Sequence, residues 1–194
     1  MAILKVGGTQ IASSSGSDVT LDNVALGSSV TGLPAAVTLS AEQATSGTAF
    51  NFTGIPAGTK QIAVMFDDVS IDGSADFQIQ IGDSGGLETT GYLSRYTNVM
   101  ATAISAANSS TTAFNIFNDN HGSLDLEING VLQLFLQESS SNTWIATWIF
   151  SVPSYSNSHY GTGKKSLSGE LDRVGLNGVG GAAFNAGAVS IMYM

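Results

Sequence analysis

The chain has 194 residues, with six Lys or Arg against 15 Asp or Glu, giving a formal net charge of -9. That balance argues against nucleic-acid binding, which needs clustered cations to neutralise phosphates, and against an anionic membrane surface. Cysteine is absent, so disulfides and thiolate metal sites are excluded as sources of stability.

Charged residues make up only 11% of the chain, and 23 glycines accompany many Ser, Thr and Asn residues. This is the habit of an all-β protein with many short turns. A chain of this length buries roughly 70% of its unfolded surface. No apolar run approaches the ~18 residues of a spanning helix. The first ten residues, MAILKVGGTQ, lack the long apolar run of a leader. The expectation is a protein made in a cytoplasm and stabilised by packing or assembly.

Residues 1–47 contain no aromatic residue. Short apolar beats such as Val19 and Leu21, or Val24 and Leu26, alternate with Gly and Ser. Such a segment can add strands to a sheet but carries too little bulk for its own core. It reads as an extended N-terminal arm preceding a domain over 48–194. From Phe50 the pattern changes. Phe50 and Phe52 alternate with Asn51, and residues 54–58 form a turn. Residues 60–66 make a strand with Ile62, Val64 and Phe66 on one face. Asp72-Gly73 supplies a tight turn. Phe77, Ile79 and Ile81 then alternate with Gln78 and Gln80, a strand wet on one side.

Residues 92–112 fit a short helix or a long loop. Strands follow at 112–117, 124–128 and 131–137, the last two read as a hairpin turning at Asn129-Gly130. Residues 142–151 are apolar on both faces, which suits a central strand covered twice or a subunit contact. Residues 153–163 read as a polar loop flanked by Tyr155 and Tyr160. Closing strands fall at 165–176 and 188–193, with Leu167, Leu171, Val189, Ile191 and Tyr193 inward. Short strands with turns every 8–12 residues predict a β-sandwich, jelly-roll-like, with an open barrel as the alternative.

Several motifs invite chemistry. Gly82-Asp83-Ser84-Gly85-Gly86 matches the nucleophile segment of chymotrypsin-like proteases, where the serine attacks a carbonyl beside backbone donors. Both histidines, His121 and His159, follow Ser84, however, and Leu87 replaces the usual proline. The expectation is a glycine-rich turn and no enzyme. Asp67, Asp68, Asp72 and Asp76 could offer oxygen ligands to Ca²⁺, but the spacing is not that of an EF-hand loop and turns favour Asp on their own account. Two histidines lack the further ligands zinc needs. Tyr155, His159 and Tyr160 have the composition of a contact surface for carbohydrate or protein. Trp144 and Trp148 read as core. No catalytic residue, cofactor or metal is assigned.

The stretches FTGIPAGTKQI (52–62), VMF (64–66) and IGDSGGLETTGY (81–92), with GELDRV (169–174) near the end, resemble a β-rich domain recurrent in virion proteins of tailed bacteriophages. That domain is frequent in tail-fibre and other surface proteins. The resemblance covers most of 48–194 and implies an exposed structural or attachment role, usually as trimers, with Gly82–Gly86 a conformational turn. Three functions compete: a trimeric capsid decoration (cement) protein, a tail-fibre or receptor-binding component, and an enzyme built on Ser84 or the Asp cluster. An arm before one globular domain leaves no room for a fibre shaft, which favours decoration. The expected partners are other copies of the chain and, through the arm, the major capsid protein or other virion proteins.

Overall fold

The computed structural model describes residues 37–72, 77–100, 103–104, 108–117 and 127–194, together with strand backbones at 3–6, 9–15 and 18–20. Two units divide at Ala35/Ala36. The first is an antiparallel meander of β1 (Ile3–Val6), β2 (Thr9–Ser15) and β3 (Asp18–Thr20). The division precedes the boundary expected from the aromatic gap at 47/48. The reason is pairing: β4 (Thr38–Leu39) and β5 (Gln43–Ala44) both hydrogen-bond the last strand of the second unit.

The second unit is a sandwich of two antiparallel sheets. In chain order its remaining strands are β6 (Ala49–Thr53), β7 (Gln61–Ile71), β8 (Phe77–Asp83), β9 (Gly86–Leu87) and β10 (Leu93–Val99). After these come β11 (Asn108–Ser110), β12 (Phe114–Phe117), β13 (Ile128–Glu138) and β14 (Thr143–Val152). The last three are β15 (Asn157–Ser166), β16 (Arg173–Gly178) and β17 (Phe184–Tyr193). The larger sheet runs β11-β10-β15-β14-β13-β7-β17-β4, with β5 also on β17; the smaller runs β12-β8-β16-β6, with β9 on β8. The chain changes sheet at most connections, as jelly-roll sandwiches do, and β13-β14-β15 is the one uninterrupted meander of the larger sheet.

Alternation puts the core where the sequence placed it. Ile62, Val64 and Phe66 of β7, Phe77, Ile79 and Ile81 of β8, and Val189 and Ile191 of β17 are buried between the sheets. Leu167 and Leu171 are buried as well, in the link from β15 to β16. Phe66 is the hub of an aromatic row. Its ring meets Phe150 edge-on at 4.9 Å and stacks on Phe77 at 5.9 Å, and Phe77 meets Phe184 at 6.0 Å. Trp144 and Trp148 lie in the same core. Edge-on aromatic contacts add to the transfer of their area from water.

Several expectations about local structure fail. The closing strand expected at 165–176 is broken into β15 and β16 by a link at 167–172. Asn129-Gly130 is no hairpin turn; it lies inside the continuous strand β13, where the register against β7 shifts between Ile128 and Gly130. A Cβ on Gly130 would stand 2.2 Å from the Ile149 carbonyl oxygen, so the glycine serves a close strand approach. Residues 153–163 are not a loop, since β15 begins at Asn157. Its glycines make space for rings: a Cβ on Gly161 would sit 2.0 Å from Trp148 Cε2, and one on Gly163 would sit 2.7 Å from Phe114 Cδ1. Gln80 is not wet but buried, donating from Nε2 to Thr112 O at 3.1 Å and accepting from Asn177 Nδ2 at 3.0 Å. Residues 92–112 hold β10 and β11. The turn read at Asp72-Gly73 and the strand read at 124–128 fall largely outside the described residues.

Candidate functional sites

The protease-like pentapeptide builds a hairpin. Ser84 and Gly85 form the two-residue turn between β8 and β9, with Gly82 opposite Leu87 and Asp83 opposite Gly86. Asp83 Oδ1 accepts from the Gly85 N–H at 2.8 Å, a side-chain mimic of a backbone turn. Asp83 Oδ2 accepts from Ser168 Oγ at 2.8 Å, and that hydroxyl bond is the main reason its carboxyl sits below the usual carboxylate range. Glu88 follows at once. It forms an ion pair with Lys165, and its Oε1 accepts from the Ser168 N–H at 2.6 Å. Burial raises the Glu88 pKa, but the Lys165 and Ser168 donors outweigh it and the carboxyl is held below its ordinary value. Tyr92 closes the cluster. Its hydroxyl accepts from the Ile81 N–H at 2.8 Å and lies 2.9 Å from the Glu88 carbonyl, and burial pushes the phenol up.

Ser84 is exposed at the tip, and its carbonyl accepts from Arg173 Nη2 at 3.3 Å. His159 is instead buried on β15 of the other sheet, opposite Phe150 and Asn98, with its ring 6.4 Å from Tyr96. The structure does not bring Ser84 and His159 together, and His121 lies outside the described residues. What the pentapeptide does bring together is Asp83, Glu88, Tyr92, Lys165 and Ser168, which tie the β8–β9 hairpin to the β15–β16 link. Sequence reasoning missed Lys165 and Ser168, because no spacing rule joins them to residues some eighty positions earlier.

Two of the four acidic residues are engaged with asparagines, while Asp67 is exposed on β7 opposite Ala188. Asp68, at a left-handed backbone position (φ 47°), donates its N–H to Asn129 Oδ1 and accepts from Asn129 Nδ2 at 2.7 Å. Asp72 accepts from Asn185 Nδ2 at 2.9 Å. Asp76 lies outside the described residues, and among these no group of three or more His, Asp or Glu is assembled.

The outer face of the larger sheet is the second feature. On β14, Trp144, Ala146, Trp148, Phe150 and Val152 point to the core, while Ile145, Thr147 and Ile149 point away. Neighbouring strands continue that outward face in register. Val131 and Tyr160 flank Ile149, and Phe135 and Lys164 flank Ile145. Leu39 lies beyond Met192 on the opposite side, and Leu93 lies beyond Lys164. Leu93 is 67% exposed, Leu39 63%, Ile149 47%, Tyr160 45% and Phe135 38%. Two-sided apolarity in 142–151 is therefore real, and among the described residues of the second unit only the inner side is covered.

Toward β10 the outer face is hollowed. A depression of about 520 Å³ is lined by Leu93, Arg95, Ile145, Thr162, Lys164 and residues 109–111 at the end of β11. A second, of about 320 Å³, lies on the other side of Arg95 against Tyr160 and Thr97. Tyr160 is thus at a surface hollow while His159 points inward; the side chain of Tyr155 lies outside what is described.

No family model matches the chain, and neither a curated protein nor a solved structure matches it. Fold and surface chemistry define the class: an all-β sandwich with an uncovered apolar sheet face.

Proposed function

We propose that the chain is a structural protein of a tailed-phage virion, a homotrimer that decorates the outside of the capsid shell as a cement protein. The observation that carries the assembly is the outer face of the larger sheet. An antiparallel sheet in water buries one face and wets the other. Here Ile149, Phe135 and Leu39 are exposed on the side away from the core. A contiguous apolar surface of this kind marks an interaction site. Another copy is the fitting cover because of charge. In a chain with 15 acidic residues, the outward positions Met65, Val131, Gln133, Phe135, Ile145, Thr147 and Ile149 include none. Copies that repel elsewhere can approach there.

Threefold closure and the place in a virion come from the resemblance at 52–66 and 81–92. The matched residues are those of the β8–β9 hairpin and its Glu88 and Tyr92 ties, a scaffold with a structural part to play. Closed rings leave no open apolar face, which an open chain of copies would. The N-terminal unit would dock on the shell, and three linked units would make individually weak docking tight. A tail-fibre or receptor-binding component is the second reading, favoured by the hollows beside Arg95. Copy number per particle separates them. Hundreds of copies with immunogold over the shell support decoration, whereas tens of copies with label only at the tail would replace it with the second reading. A chain beginning at Ala36 is expected to fold and trimerise but leave particles bare.

A further inference from the structure

Arg95 and Lys164 sit side by side on the outer face: Arg95 pairs with Thr162, and Lys164 lies two residues further along β15, opposite Leu93. They are diagonal neighbours, close enough to repel. Both are exposed, and among the described residues neither has an ion-pair partner. This is notable in a chain of net charge -9. The other two cations of this region, Lys165 and Arg173, pair with Glu88 and Asp172. In register, Arg95 faces Ser109 and Thr162, and Lys164 faces Ile145 and Leu93, so no acid lies opposite either in the sheet. The two hollows meet at Arg95 and Thr162, which line both. They form a groove running from Tyr160 to Lys164, about 14 Å at the rise of an extended strand.

We infer that this groove binds an anionic saccharide, a carboxylate- or phosphate-bearing sugar whose acid group is held by Arg95 and Lys164. The guanidinium offers paired donors to a planar or tetrahedral oxyanion, and the ammonium adds a point charge. Tyr160, 45% exposed, presents an aromatic surface at the other end of the groove. Thr97, opposite Tyr160, and Ser109, opposite Arg95, add polar side chains to the lining. Thr162 lies between the ends, with its hydroxyl donating to the Ala146 carbonyl at 3.1 Å. A face built of one aromatic ring, hydroxyls and two cations suits a polyhydroxylated ring with an acid substituent better than an acidic peptide, which needs only the charges. The groove occupies the β10–β15 side of the outer face, and the proposed contact between copies is confined to β7, β13 and β14. The inference does not rest on the trimer, and titrating Ile149→Asp beside the parent chain tells a groove covered by a copy from one that does not bind.

The test titrates the full chain with a uronate oligosaccharide, mannose 6-phosphate, a neutral maltooligosaccharide and an oligoglutamate, read by calorimetry at low and moderate salt. The groove predicts binding of one or both acidic sugars, with the two arms telling carboxylate from phosphate. Binding should weaken at least tenfold in Arg95→Gln and several-fold in Lys164→Gln and Tyr160→Ala. It should be unchanged in Lys60→Gln, an exposed cation at the start of β7. Unchanged thermal unfolding of each variant keeps folding out of the readout. No binding of either acidic sugar at millimolar concentration would overturn the proposal. So would binding indifferent to Arg95→Gln, or oligoglutamate binding as tightly as the sugars with Tyr160→Ala without effect.

Discussion

Lys164 and Lys165 are consecutive on β15 and live in different worlds. Lys165 points between the layers, its side chain 5% exposed, and is matched by Glu88. Lys164 points outward beside Arg95 and has no ion-pair partner among the described residues. Period-two alternation alone separates them. The difference shows how this fold uses charge. Inside, a cation is tolerated only with a full set of acceptors, since desolvating it costs several kcal/mol. Outside, a cation can be left unanswered, and its unmatched charge is then available to something else.

Breaking the inner pair is the harshest test of that contrast. Glu88→Ala strands the Lys165 ammonium, and we expect a loss of about 3 kcal/mol, the low end for a broken buried pair because Glu88 keeps some solvent contact. Urea unfolding reads it, and adding Lys165→Met should recover much of the loss. Next is Gly161→Ala, on the inward side of β15 beside outward-facing Tyr160. Its Cβ would enter the Trp148 ring, so a loss of roughly 2 kcal/mol is expected from overpacking.

Acid should act on the same inner cluster. The Glu88 and Asp83 carboxyls are held below their ordinary values of 4.5 and 3.8 in the folded chain. The unfolded chain therefore takes up protons first as pH falls. Their contribution is fully present above about pH 4.5 and is lost as pH drops through the folded values. The urea midpoint should fall below that pH, and Glu88→Gln should flatten the fall. The smallest effect is expected at the outer cation. Lys164→Met should change stability by no more than about 0.5 kcal/mol, as surface substitutions do; a larger loss would mean that Lys164 has a structural partner.

Much of this was legible in the residues. The all-β class, the inward sets on β7, β8 and β17, the tryptophan core and the turn at Ser84 all follow from alternation and turn chemistry. The strand missed at 129–130 and the one missed at 157–163 share one cause: glycines that serve packing look like glycines that serve turns. Gly130, Gly161 and Gly163 sit in strands because a carbonyl or an aromatic ring from the adjacent chain segment occupies the space of a Cβ. That demand comes from tertiary neighbours. The same holds for the Glu88–Lys165–Ser168 cluster and for the groove at Arg95, which alternation can place on a face but cannot assemble. Residues 142–151 were readable as apolar on both sides, and among the described residues of the second unit only the inner side is covered.

The covering of that other side is the central claim, and Ile149 tests it most directly. It is outward-facing on the central strand β14 and 47% exposed, so Ile149→Asp should leave the fold intact while placing an acid between the outward Val131 and Tyr160. Sedimentation equilibrium of the full chain in dilute solution should give three times the chain mass for the parent and one chain mass for Ile149→Asp, with matching circular dichroism. A parent that sediments as a stable monomer, or an Ile149→Asp chain that remains trimeric, would contradict the account.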